Sequence, residues 1–129
     1  MPDIPYLKHA SSLIATEAAV AKDEKSRGAI THVIAGASSP VVTPLASPVF
    51  LFQAEKIAPE ALQLVKLETK KTQREISETE KKPMRTIRLD ITRITADKLW
   101  QIEVEESLQP GEYALTPSGS EKVFCFQVR

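Results

Sequence analysis

The chain has 129 residues, 42% of them hydrophobic and 26% charged, which is the composition of one globular domain rather than of a disordered or membrane-embedded chain. Lys and Arg together number 17, as do Asp and Glu, so the formal net charge is zero and no excess of positive charge predicts a nucleic-acid partner. No segment approaches the roughly 18 apolar residues of a membrane span, and the one cysteine excludes an intrachain disulfide.

The first 26 residues are predicted to form an extended arm that packs on the rest of the chain. Residues 4–7 are extended in character because a residue that precedes proline avoids the α region. Residues 11–25 have two interpretations, a helix or an extended connection. Their alanine content and the spacing of Leu13, Ile14 and Ala18 favour a helix, whereas no capping box marks its start. No basic segment followed by an apolar one opens the chain, so it does not begin with a signal peptide as it stands.

Three strands are predicted in the middle of the chain, at 29–35, 48–53 and 61–69. Residues 38–47, between the first two, contain prolines that forbid a central strand. We interpret them as a crossing from one sheet to another with apolar side chains in the core, the alternative being an interaction loop. Residues 66–85 mix charges of both signs, which is typical of the solvated face of a hairpin.

Apolar and polar residues alternate in the second half of the chain. Residues 86–92 and 98–105 each place their apolar side chains on one face of a predicted strand, and Trp100 is the aromatic member of the second face. Ala96 and Asp97 offer a tight connection between these two strands.

The C-terminal end is predicted to be a turn followed by two core strands. Pro110 and Gly111 suit the central positions of a type II turn. Tyr113, just inside the next strand, resembles the tyrosine corner of Greek-key sandwiches, the alternative being an ordinary core tyrosine. Phe124 and Phe126 share the apolar face of the last strand. We therefore assign structural roles to Pro110, Gly111, Tyr113, Trp100, Phe124 and Phe126.

About seven to nine short strands, separated by turn signals, are typical of an antiparallel sandwich. The predicted fold is all-β, a single immunoglobulin-like β-sandwich at 27–129 with the N-terminal arm at 1–26.

No catalytic, metal-binding or cofactor-binding residue is predicted. His9 and His32 are the only histidines, and neither lies in a nucleophile motif. Together with Cys125, a core residue between two phenylalanines, they do not supply the closely spaced ligands of a metal site. Glu103 and Glu105 share the polar face of a strand, as solvated residues do. The chain is therefore predicted not to be an enzyme and to need no cofactor.

Three stretches resemble an uncharacterised family of bacterial domains that often carry an export leader: DIPYLKHA near the start, GASSPVVTPLASPVFLFQA in the middle and LQPGEYALTPSGSEKVFCFQV at the end. The closing PGEYAL…VFCF pattern is the most specific part. The resemblance implies an all-β fold and an extended segment at 11–25. It also implies a periplasmic or secreted setting if a leader has been removed, and a cytoplasmic one otherwise. It assigns a role to no residue.

Two functions are therefore predicted. The first is a non-enzymatic binding or structural module of an exported bacterial protein, which contacts a protein or a cell-envelope component and offers an edge strand for homo-oligomer formation. The second is a small-molecule-binding sensor subunit, or an enzyme with a pocket that the sequence does not reveal. A pocket with convergent polar groups would favour the second, and an open edge strand or an exposed apolar patch the first.

Overall fold

The computed structural model describes residues 2–9, 11–79, 85–94 and 98–129. Within them the chain is all-β, and the one helical segment is a 3-10 turn at Pro59–Ala61. The strands, in chain order, are β1 (Tyr6–His9), β2 (Ser12–Ala15), β3 (Glu17–Val20), β4 (Lys22–Ser26), β5 (Ala29–Ala35), β6 (Val42–Thr43), β7 (Val49–Gln53), β8 (Leu62–Thr69), β9 (Gln73–Thr79), β10 (Leu89–Arg93), β11 (Leu99–Val104), β12 (Gly111–Pro117) and β13 (Lys122–Val128).

The strands form two sheets. A five-stranded sheet has the order β10-β11-β7-β1-β2, and an eight-stranded sheet has the order β3-β13-β12-β8-β9-β5-β4, with β6 beside β13. All neighbours are antiparallel except the two-residue β6, which runs parallel to β13. The predicted all-β sandwich of antiparallel sheets is confirmed at this level, and an immunoglobulin-like topology stays a prediction.

The main hydrophobic core lies between the two sheets. The five-stranded sheet contributes buried residues such as Leu7, Phe50 and Ile102, and the eight-stranded sheet contributes residues such as Leu64 and Leu115. Each of these side chains is fully buried, and burying one stabilises the fold by about 1.5–3 kcal/mol relative to leaving it in water. This core holds the sheets face to face.

The eight-stranded sheet is rolled, because its two edge strands are consecutive in the chain. β3 pairs with β13 at one edge and β4 pairs with β5 at the other, yet only Ala21 separates them. Three consecutive residues span at most about 7 Å between their outer Cα atoms. The Ala21 N–H also donates to the Glu121 carbonyl, at 2.8 Å. The sheet therefore curls until its edges meet, and we call it the rolled sheet.

The first 26 residues, expected to lie along the sandwich as an arm, contribute paired strands to both sheets. β1 is an internal strand of the five-stranded sheet, between β7 and β2. The helix that alanine content favours over residues 11–25 does not form, because β2, β3 and β4 each pair with a strand that is already present. Tertiary pairing overrides the weak local preference for a helix here.

The remaining strand predictions agree with the structure in position but not everywhere in extent. The segment at 38–47 does cross from the rolled sheet to β7, with Val41 against the main core, but Leu45 remains 43% exposed. The strand expected at 86–92 begins at Leu89. The tight connection predicted at Ala96 and Asp97 lies outside the described residues.

Candidate functional site

The inward face of the rolled sheet encloses a second apolar core that is separate from the main one. Residues opposite each other in an antiparallel pair point to the same side of the sheet, and three such pairs in β5 and β9 point inward: Ile34 with Arg74, His32 with Ile76, and Ile30 with Glu78. The inward residues thus run from a charged end through an apolar middle to a second charged end.

A cavity of about 290 Å³ opens at the His32 end of the rolled sheet. Its floor is the apolar middle layer, whose aliphatic side chains are buried except for the partly buried Ile76. β8 and β9 pair only at Glu68–Glu75 and Thr69–Arg74, next to their turn, so the two strands diverge beyond it and leave room between them. The floor residues are Ala21, Ile34, Val65, Leu67, Ile76, Ala114 and Val123.

The rim of the cavity holds a histidine between two carboxylates. His32 Nδ1 lies 2.5 Å from Asp23 Oδ1, and His32 Nε2 lies 3.3 Å from Glu78 Oε1. Burial alone would lower the pKa of His32, but the hydrogen bonds and charges of the two carboxylates outweigh it and raise that pKa above its usual value. We call Asp23, His32 and Glu78 the rim triad.

Strand register brings the rim triad together. Asp23 of β4 lies directly opposite His32 of β5, on the inward face. Glu78 of β9 lies opposite Ile30, which makes it the diagonal neighbour of His32 on the same face. The three side chains are 24–36% exposed, so they face both the cavity and solvent.

The rest of the rim is polar. Gln63, Thr116, Ser120 and Glu121 also line the cavity. The Thr116 hydroxyl donates to the Lys122 carbonyl at 2.8 Å, which directs it toward the backbone. Among the described residues that line the cavity, three are acidic and none is Lys or Arg. The rim is therefore an acidic ring above an apolar floor.

Both ring nitrogens of His32 are engaged in this arrangement. A histidine that activates a serine needs one ring nitrogen for the hydroxyl, and both nitrogens of His32 contact carboxylates. Within the described residues, no group of three or more His, Cys, Asp or Glu side chains is arranged to hold a metal ion.

The opposite end of the rolled sheet is closed by Arg74. Its guanidinium donates to both carboxylate oxygens of Glu17, from Nη1 at 2.7 Å and from Nη2 at 3.3 Å. Nε donates to the Gly36 carbonyl and Nη2 to the Ala35 carbonyl, each at 2.8 Å. Burial would lower the pKa of Arg74, but the hydrogen bonds that it donates to Glu17, together with the nearby negative charges, outweigh burial and raise that pKa. Arg74 is fully buried, and each of its three guanidinium nitrogens donates at least one hydrogen bond.

Glu112 completes this closed end. It is 3% exposed, lies 3.9 Å from Arg74 Nη1, and accepts a hydrogen bond from the Ser39 N–H at 2.7 Å. Burial raises the pKa of the Glu112 carboxyl, and the Ser39 N–H and Arg74 oppose that rise. Neighbouring Cys125 is fully buried, and burial raises the pKa of its thiol to about 12. These groups form an internal plug, which ties the loop at Ser39 to the sheet.

Three of the residues to which the sequence assigns structural roles, Tyr113, Phe124 and Phe126, lie on the other side of the rolled sheet, in the main core. Tyr113 is 2% exposed and its hydroxyl donates to the Gln109 carbonyl at 2.6 Å, the local backbone bond that a corner tyrosine makes. The centroid of its ring lies 5.7 Å from the ring centroid of Phe126, and the ring centroids of Phe50 and Phe126 are 5.1 Å apart. Phe124 is 4% exposed. Trp100 is half-buried, with the Arg93 guanidinium 6.0 Å from its ring.

The predicted type II turn at Pro110 and Gly111 is wrong. Gly111 has φ of +156° and begins β12, whereas the third position of a type II turn needs φ near +80°. A Cβ at Gly111 would lie 3.3 Å from Lys66 Cε and 3.9 Å from the Tyr113 ring, so space and φ together favour glycine. Pro110 is exposed at the bend before the strand.

Sequence reasoning missed both charged ends of the rolled sheet. Residues 66–85 were expected to form a solvated hairpin face, but Arg74 within them is fully buried. The available signal was period-two alternation, which places Arg74 on the same face as Ile76 and His32 on the same face as Ile30 and Ile34. A polar residue that alternates with isoleucines in a strand points to the inside of the fold.

One edge of the five-stranded sheet is exposed. β2 lies at that edge, and all four of its residues are exposed, with Leu13 54% and Ile14 37% accessible. Leu13 also borders an apolar surface on the outer face of the sheet with Tyr6, Leu51 and Leu99. The molecule thus has an open edge strand as well as a cavity.

Comparisons with known proteins add no family. No protein-family model matches the chain, and no curated protein or solved structure is significantly similar to it. The resemblance to an exported bacterial family therefore stays a prediction. Among the described residues, no helix is long and apolar enough to span a membrane.

Proposed function

We propose that this chain is a non-enzymatic binding module whose rolled sheet takes a small, largely apolar ligand at its open end. The observation that carries the proposal is the cavity of about 290 Å³, which has an aliphatic floor and a polar rim. Small-molecule sites are mostly apolar concave pockets in which a few polar groups fix the orientation of the ligand. The floor residues Val65 and Ala114 are 2% and 0% exposed, so a ligand that reaches them is shielded from water.

The state of His32 supports a non-enzymatic role. A general base needs a free ring nitrogen within hydrogen-bond reach of the proton that it removes, and the rim triad holds both nitrogens of His32 against carboxylates. At the other end, Cys125 is buried and burial raises its pKa to about 12, so its thiol stays protonated and unreactive near neutral pH.

Titration with hexan-1-ol, followed by amide NMR, tests the proposal. Saturable shifts are expected at Ile34, Val65 and Ala114, around the cavity floor. Ala21→Leu places a larger side chain in the cavity and should weaken binding about tenfold, since each buried methylene that the ligand loses costs about 0.8 kcal/mol. Ala15→Leu, at an exposed position of β2, is the matched control and should bind like the wild type.

Two results would contradict the proposal. One is shifts that increase linearly with alcohol concentration and do not saturate. The other is equal binding by both leucine variants. Circular dichroism and thermal unfolding of each variant separate a blocked cavity from a destabilised fold, because overpacking itself costs about 1–3 kcal/mol.

The exposed β2 edge favours a second candidate function, which is docking of an extended segment from another protein or a cell-envelope component. An unpaired edge offers backbone hydrogen bonds to a partner strand, and Leu13 adds exposed apolar surface. In the exported setting that we propose from the sequence resemblance, such a partner would be found in the envelope fraction. A specific partner should be retained by the wild type and by Val20→Lys, at an exposed position on the other sheet, and lost with Leu13→Lys.

A further inference from the structure

We infer that the open end of the rolled sheet selects ligands that carry a positively charged head on an apolar tail, of the alkylammonium class. This inference rests on the proposed function, which places the ligand in the cavity. It adds the chemical class of the head group.

The charges at the rim carry the inference. Asp23, Glu78 and Glu121 line the cavity, and His32 is the one described lining residue that can become positive. Three carboxylates against one imidazole leave the rim negative whether or not His32 is protonated. The rim therefore attracts a cation and repels an anion at every pH at which the carboxylates are ionised.

Two described lysines that lie close to the rim in sequence, Lys122 and Lys25, do not line the cavity. Lys122 lies opposite Val20, on the outward face of the rolled sheet. Lys25 shares the inward face of β4 with Asp23, but it is exposed and lies beyond the residues that line the cavity. Among the described residues that line the cavity, the acidic ring therefore has no lysine or arginine beside it.

The apolar residues of the cavity lie at its floor and the charged residues at its rim, which suits a ligand with an apolar tail and a charged head. Val65 and Ala114, at the floor, suit an alkyl tail, and the carboxylates, at the rim, suit an ammonium group that donates three hydrogen bonds. The imidazole of His32 already fills the space between Asp23 and Glu78. Glu121 makes no contact with His32 among the described ion pairs, so it is the acid at which a bound cation has the greatest effect.

Three ligands of one chain length test the head-group preference: hexylammonium, hexan-1-ol and hexanoate. At about pH 7.5 the amine is protonated and the acid ionised, as lysine and glutamate side chains are. By calorimetry at low salt, hexylammonium should bind about tenfold more tightly than the alcohol, and hexanoate should bind most weakly. The preference should shrink as salt is raised, because the rim is partly exposed.

Charge-neutral variants locate the effect. Glu121→Gln should reduce the preference for the amine over the alcohol by several fold, because it should weaken binding of the amine more than binding of the alcohol. Glu24→Gln is the matched control, since Glu24 is exposed on the outward face of β4, opposite Thr31. It should keep the wild-type preference.

The outcomes separate this inference from the proposed function. Equal binding of all three ligands would overturn the inference and leave the pocket in place. Tightest binding by hexanoate, or an equal loss of preference in both variants, would also overturn it. Binding of none of the three would overturn the proposed function and the inference together.

Discussion

The two ends of the rolled sheet carry the same chemical pattern in different surroundings. At the closed end Arg74 lies between Glu17 and Glu112, and at the open end His32 lies between Asp23 and Glu78. Each is a basic side chain between two carboxylates. Those of His32 come from its neighbouring strands β4 and β9, whereas those of Arg74 come from β3 and β12, which do not pair with β9. The Arg74 and Glu112 side chains are 0% and 3% exposed, whereas the His32 and Glu78 side chains are 24% and 30% exposed.

Burial of the basic side chain is the main difference between the internal plug and the candidate binding site: Arg74 is 0% exposed and His32 24%, while their partners Glu17 and Glu78 are 25% and 30% exposed. At the closed end the backbone carbonyls of Ala35 and Gly36 also accept hydrogen bonds from Arg74, which is fully buried and therefore out of reach of a ligand. At the open end the carboxylates keep part of their surface in solvent and in the cavity. The first arrangement fixes the sheet, and the second can exchange water for a ligand.

The largest expected effect is the protection of Cys125 at the closed end. In the native state its thiol should react with an aromatic disulfide reagent at least about a thousandfold more slowly than in urea, because reaction requires unfolding and small domains have folding constants of about 10³ or more. The double variant Cys125→Ala, Ser120→Cys places a thiol at the open end and should react rapidly in the folded state. Rapid labelling of Cys125 in the native state would mean that the closed end is as accessible as the open end.

Removal of the closed-end cation should have the next largest effect. Arg74→Met leaves Glu112 buried without its partner, and breaking a buried ion pair from one side costs about 3–5 kcal/mol of unfolding free energy. Chemical denaturation of the purified protein measures this loss.

Arg88→Met is the matched control for that variant. Arg88 pairs with Glu105 at 3.8 Å, but its side chain is 83% exposed, so the loss should be at most about 1 kcal/mol. Equal effects of the two methionine variants would mean that the closed end does not depend on its buried charge.

The smallest expected effect is a pH dependence from the open end. The native pKa of His32 is raised, so its stabilising contribution is fully present below the unfolded-state pKa of about 6.5 and is lost as pH rises through the native value. As pH increases through this range, urea midpoints should show that the wild type loses stability relative to His32→Gln. The expected loss is about 0.2–1 kcal/mol, the size measured for ion pairs that contact solvent.

His9→Gln is the control for the histidine substitution. His9 is exposed at the end of β1, and its replacement leaves the rim triad intact, so the pH profile of the wild type should persist. The opposite result would be a wild type that gains stability relative to His32→Gln as pH rises through this range. It would mean that the native state does not favour protonated His32.

The sequence was sufficient to predict much of the fold. Alternating apolar residues around Ile102 and between Tyr113 and Val128 mark strands with one face in the main core, and the structure has β11, β12 and β13 there. It was insufficient for residues 11–25, because their strands depend on partners far along the chain rather than on local preference. The turn at Gly111 was mistaken because the same Pro-Gly pair also suits a bend that leads directly into a strand, where Gly111 has φ of +156°.

The candidate site was not predictable from residue patterns of the usual kind. The rim triad combines positions from β4, β5 and β9, and only strand register brings them into contact. No spacing rule in one sequence encodes a register between distant strands. Alternation with isoleucines did mark both His32 and Arg74 as inward residues. It could not show which of the two is buried, because their burial depends on which end of the rolled sheet is closed by other residues.

The closure of the rolled sheet through β3 and β13 has a consequence for biosynthesis. Glu17 and Cys125 are paired neighbours in this sheet, although they lie near opposite ends of the chain. Contacts between residues so distant in sequence make folding slow, and β3 has no partner strand on the ribosome until β13 has emerged. Val20, 63% exposed even in the finished fold, would then be on an unpaired strand. We therefore expect the nascent chain to spend its synthesis with an open, aggregation-prone edge, and to form its cavity last.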